Sequence, residues 1–114
     1  MTKPLQVVFL GLDRSEAVEQ HVRDKLAKLQ RHYPHIESCR VAIELPHKHH
    51  QHGKQFEVRI DLGIRGKEIV VNREPGNEDM YMALRDAFDA AERQLDATTR
   101  EHRGDGARVE DSVD

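Results

Sequence analysis

The chain has 114 residues and a mass of 13.2 kDa, with 37% hydrophobic and 34% charged residues and a formal net charge of −3. That is the mass of one domain, since domains cluster at about 100–150 residues, and the apolar content supports one modest core rather than two. No run approaches the roughly 18 apolar residues of a membrane helix, Met1-Thr2-Lys3-Pro4 lacks the apolar stretch of a signal peptide, and the single Cys39 excludes an internal disulfide or a cysteine-rich zinc site.

Leu5–Leu10 (LQVVFL) is a short β-branched run closed by Gly11, the pattern of a strand. Ser15 stands where a helix N-cap belongs, and Asp13 with Glu16 offers an alternative capping box. Val18, Val22, Leu26, Leu29 and Tyr33 then recur in steps of three and four. At about 100° per residue they fall within roughly 80° of one another, a narrow apolar stripe ended by Pro34. From Cys39 the period becomes two: Cys39, Val41, Ile43 and Leu45 alternate with Arg40, Ala42 and Glu44. After a polar connection, Pro46–Lys54, the residues Phe56, Val58, Ile60 and Leu62 alternate with Glu57, Arg59 and Asp61. Gly63–Gly66 is turn material, Glu68–Asn72 is a further strand, and Glu74-Pro75-Gly76-Asn77 breaks it. A last helix is expected from about Glu78 to Arg103, with Tyr81, Leu84, Phe88, Ala91 and Leu95 as its buried stripe. Gly104 and Gly106 are expected to end it, leaving 104–114 as a disordered acidic tail.

The order β-α-β-β-β-α predicts an α+β fold, a two-layer sandwich within residues 1–103. The first helix is the crossover that a parallel strand return requires, and the next three strands form a meander. A four-stranded mixed sheet then carries both helices on one face. Arg40, Glu44, Glu57, Arg59 and Asp61 are left on the other, open face.

Candidate chemistry is sparse. Ser15, Ser38 and Ser112 fall at a cap, a strand edge and the tail, and Cys39 belongs to a buried strand face, where a thiol is core filling. There is no phosphate-loop glycine pattern and no H-E-x-x-H motif, so an enzyme is not expected. His47, His49, His50 and His52 crowd one loop. They can be a solvated connection, a contact for nucleic acid or protein through Lys48, His49, His50 and Lys54, or a metal binder. No metal, cofactor or small-molecule substrate is assigned.

Charge is unevenly distributed. Residues 1–73 carry 13 lysines and arginines against 9 acidic residues, whereas 74–114 carry 5 against 12. On a helical projection Arg14, His21, Lys25, Lys28 and His32 lie within roughly 60° beside the first helix's apolar stripe, with Arg31 next to them. Such a ridge suits phosphates, and it is also what a solvated helix face looks like. In the second helix, Asp89 and Asp96 precede Arg93 and Arg100 by four residues, a spacing at which ion pairs form within a helix.

Lys25–Tyr33 (KLAKLQRHY) resembles the end of the first helix in the ribosome hibernation promoting factors, also called ribosome-associated inhibitors or sigma-54 modulation proteins. Asp79-Met80-Tyr81 with Ala83 and Leu84, and Arg93-Gln94-Leu95, resemble that family's second-helix signatures. The resemblance spans roughly residues 5–100 and is to the short form. It implies a fold like that of double-stranded-RNA-binding domains. It also implies a non-catalytic, cytoplasmic translation inhibitor, made in stress or stationary phase, that binds small-subunit rRNA across the mRNA and tRNA sites of the decoding region. Lys25, Lys28, Arg31 and His32 match the family's first-helix cations and Arg93 one in the second, with Arg100 a looser match. The chain departs from the family pattern at Gly11-Leu12-Asp13 and at Ala90, Ala97, Thr98 and Thr99, where basic residues are usual. These departures keep open an alternative, a divergent paralogue acting as a protein-interaction or stress-regulatory module without the ribosome.

Overall fold

The structure, a computed structural model, describes residues 5–46 and 55–111, without the side chains of 73–76 and 99–111. The elements are β1 (Leu5–Leu10), α1 (Glu16–His32), β2 (Ile36–Glu44), β3 (Phe56–Ile64), β4 (Lys67–Asn77) and α2 (Met80–Asp111). The sheet order is β1-β2-β3-β4. Strand β1 runs parallel to β2, with Val7 opposite Val41, so α1 is the crossover. The β2–β3 and β3–β4 pairs are antiparallel.

Alternation sorts each strand into two faces. Cys39, Val41 and Ile43, Val58, Ile60, Leu62 and Ile64, and Ile69 and Val71 are buried in one cluster, joined by Val18, Val22, Leu26 and Leu29 of α1 and Leu84, Ala87, Phe88, Ala91 and Leu95 of α2. Both helices therefore cover the same face. On the other face Arg40, Glu44 and Arg59 are exposed, and Arg59 pairs with Asp61 at 3.0 Å.

Helix α1 begins at Ser15, whose hydroxyl accepts from the Val18 amide at 3.2 Å, rather than at the Asp13–Glu16 alternative. In α2 the cap is Asp79: its Oδ1 accepts from the amides of Tyr81 (2.9 Å) and Met82 (3.4 Å). Gly11 has φ 78°, and a Cβ there would stand 2.6 Å from the Leu45 carbonyl oxygen, so the chain leaves β1 by a path open to glycine. The β3–β4 connection narrows to two residues, Arg65 and Gly66, both at positive φ (52° and 80°) as a type I′ hairpin demands.

Two boundaries and one buried position differ from expectation. Strand β4 does not stop at Asn72: it continues through Pro75 and Gly76 to Asn77. Phe56 pairs with Asn77 and Val58 with Arg73, so an irregularity takes up the extra residues, and β4 is an edge strand where a missing N–H is tolerated. Helix α2 does not end at Gly104: its backbone is helical to Asp111. A helical glycine costs only about 1 kcal/mol relative to alanine and keeps its N–H, so it weakens a helix without blocking it. Finally, Tyr81 is not in the buried stripe but 44% exposed, and Ala83 is buried in its stead.

Candidate nucleic-acid interface

The apolar stripe of α1 fixes where its cations point. Leu26 and Leu29 are buried against the sheet and α2, which sets Lys25 and Lys28, one residue ahead of each, on the flank facing α2. Lys25, Lys28 and His32 line a groove of about 250 Å³ between the helices, floored by Leu29 and Phe88. Lys28, Arg31 and His32 are exposed and Lys25 half-buried. Among the described residues, Lys25, Lys28 and Arg31 enter no ion pair. The charge of Lys25 and Lys28 is available at the rim of the groove.

Arg31 lies outside the groove on the exposed side of α1. Arg93 is exposed on α2 and makes no ion pair with Asp89 despite the four-residue spacing, whereas Arg85 of the same helix pairs with Asp86 at 3.5 Å. The side chain of Arg100, and the loop positions Lys48, His49, His50 and Lys54 with His47 and His52, lie outside the described residues. Among the described residues no group of His, Cys, Asp and Glu could hold a metal ion.

Two members of the expected ridge leave it. Arg14 precedes the Ser15 cap, so it does not follow the helical projection. It donates through Nε and Nη2 to the Glu19 carboxylate, at 2.6 and 3.2 Å, on the opposite flank. That hydrogen bond, more than charge alone, holds the Glu19 carboxyl below the usual carboxylate range. His21 is half-buried, with its ring edge-on to Tyr81 at 4.8 Å and 87°, and its Nε2 is enclosed without a hydrogen-bond partner. Burial first, then the nearby Lys25 and Lys28 against a smaller opposing effect of Asp24, lowers its pKa. The surroundings thus disfavour the charged imidazole, so His21 is a poor member of a cationic ridge. Cys39 is 4% exposed, and burial followed by Asp61 pushes its thiol up to about 12, so it is a poor nucleophile.

Sequence reasoning did not find the opposite wall. Asp89 and Glu92 of α2 line the same groove as Lys25, Lys28 and His32. Helical projection places residues around their own axis, and only packing brings two helix faces together. The one available signal was the acidic balance of residues 74–114. The groove therefore has a basic wall and an acidic wall.

Residues 5–103 match the family described as sigma 54 modulation protein / S30EA ribosomal protein. Over 93 residues the chain is 33% identical to the ribosome hibernation promoting factor of Azotobacter vinelandii, covering 80% of this chain and 79% of that protein. The fold is similar to that of a ribosomal subunit interface protein from Coxiella burnetii, with a TM-score of 0.72 at 19% identity over 84% of this chain and 97% of that one. It is also similar to the N-terminal domain of Thermus thermophilus Protein Y, with a TM-score of 0.63 at 26% identity over 83% and 96%. With the β-α-β-β-β-α order, the signatures in both helices and a match across nearly the whole chain, the protein belongs to the sigma 54 modulation protein / S30EA ribosomal protein family.

Proposed function

We propose that this chain is a non-catalytic, ribosome-associated hibernation factor of the cytoplasm that binds small-subunit rRNA in the decoding region under stress or in stationary phase. Lys25, Lys28, Arg31 and His32 meet phosphates along α1, and Arg93, with Arg100, adds contacts from α2. The observation that carries this reading is that, among the described residues, Lys25, Lys28 and Arg31 of α1 enter no ion pair in a chain of net charge −3. Cations at three- and four-residue spacing read the shape and charge of folded RNA rather than its sequence. The names of the Azotobacter relative and the Coxiella neighbour agree with a ribosomal partner.

A second reading, a protein-interaction or stress-regulatory module that has given up the ribosome, draws on Asp89 and Glu92, which stand across the groove from the lysines. Sucrose-gradient fractionation of a stationary-phase lysate separates the two. A ribosomal factor migrates with the small subunit and is released by high salt. A protein found wholly in the soluble top fractions supports the second reading.

A further inference from the structure

A second concavity adjoins the groove between the helices. A cavity of about 590 Å³ lies where the end of α1, the β3–β4 turn and the middle of α2 meet, within the about 300–1,000 Å³ of small-ligand sites. Tyr33 and Pro34 give it flat apolar walls, Arg65 and Lys67 of the turn bring two cations, and Glu92 and Asp96 bring two carboxylates. The Tyr33 hydroxyl donates to Asp96 Oδ1 at 3.2 Å, which helps orient the ring. Glu92 is exposed, and among the described residues it makes no hydrogen bond or ion pair. His32 and Glu92 line both the groove and the cavity, so the two adjoin.

We propose that this cavity is a binding site for one guanine nucleotide, its base stacked on Tyr33 and read by Glu92, its phosphate held by Arg65 and Lys67. An ionised carboxylate only accepts hydrogen bonds. The Watson–Crick edge of guanine presents two adjacent donors, N1–H and the 2-amino group, which one carboxylate receives together. Adenine and cytosine place a ring acceptor beside their amino donor, and uracil has one N–H between two carbonyls, so each sets a lone pair against the carboxylate. Aromatic stacking and edge hydrogen bonding are how proteins take hold of an unstacked base, and a guanidinium and an ammonium suit its phosphate. The test does not depend on the proposed ribosomal role, since a free mononucleotide probes the site directly.

The test is calorimetric titration of the full chain with GMP, AMP, CMP, UMP and guanosine, and with single-stranded oligonucleotides that carry one guanine or one adenine in a uridine run. Expected is a preference for guanine of about 10- to 100-fold, the scale of one bidentate base contact. Glu92→Gln abolishes that preference, while Arg65→Asn with Lys67→Gln removes the advantage of GMP over guanosine. Circular dichroism checks that each variant is folded. Binding of GMP itself marks a free-nucleotide site, and binding of the guanine oligonucleotide alone marks a nucleotide of RNA; either supports the proposal. Equal affinity for all bases, no saturable binding of GMP or the guanine oligonucleotide below millimolar concentration, or an unchanged preference in Glu92→Gln overturns it. Failure to co-sediment with small subunits leaves this result untouched.

Discussion

Burial beside Tyr81 disfavours the charged form of the His21 imidazole, and this makes stability depend on pH. Its folded pKa lies below the ordinary value of 6.5. Between the two values the unfolded chain binds more protons, so stability rises with pH there. The contribution is complete above about pH 6.5 and is lost as pH falls toward the folded value. Urea titrations from pH 7 to 5 are expected to show a loss of stability in wild type that is smaller in His21→Phe, which keeps a ring against Tyr81. Parallel curves would contradict this assignment. Glu19 works in the opposite sense of charge: its lowered pKa lends stability above the usual carboxylate range, lost on acidification as Arg14 loses its partner. At this scale the sequence was partly legible. Periodicity placed Val22, Leu26 and Leu29 in the core, whereas Arg14 and His21 kept their residue type but not their expected role. One lies before the cap, and the other is covered by a ring from 60 residues away.

Helices and strands reveal why periodic patterns succeed and where they stop. Burial imposes a period on every element that packs against the core, so α1 ends where expected and β2 and β3 alternate as expected, except that Ala42 of β2 is also buried. The misread ends lie where this constraint weakens: at the edge strand β4, where Pro75 is accommodated, and in α2 past Gly104. The pairing of helix faces was hidden for a related reason, since it depends on how α1 and α2 settle together on the sheet. That pairing sets Asp89 across from Lys25 and Lys28, where it opposes phosphate approach and favours partners whose charges fit both walls. Asp89→Asn is expected to raise affinity for unstructured RNA several-fold, read by fluorescence anisotropy, and to steepen its salt dependence. An unchanged affinity would mean that Asp89 does not bear on phosphates in the groove.

At the scale of the whole molecule, Lys25, Lys28 and Arg31 bring positive charge together along α1 although the chain as a whole is acidic. Summed charge alone argues against a polyanionic partner, but binding responds to local potential, and exposed charges more than about 8–10 Å away are screened at physiological salt. The family signatures are consistent with that division. In KLAKLQRHY the leucines are buried and the lysines line the rim, while Asp79 of the second motif caps α2. The most direct measurement is co-sedimentation of the purified protein with purified small ribosomal subunits across a salt series, for wild type and Lys25→Glu/Lys28→Glu. The expected result is a log–log slope of about −0.7 to −0.9 per phosphate contact, with binding by the double variant lost at physiological salt. Salt-independent association, or undiminished co-sedimentation of the charge-reversed protein, would contradict a phosphate-binding role for the rim of α1.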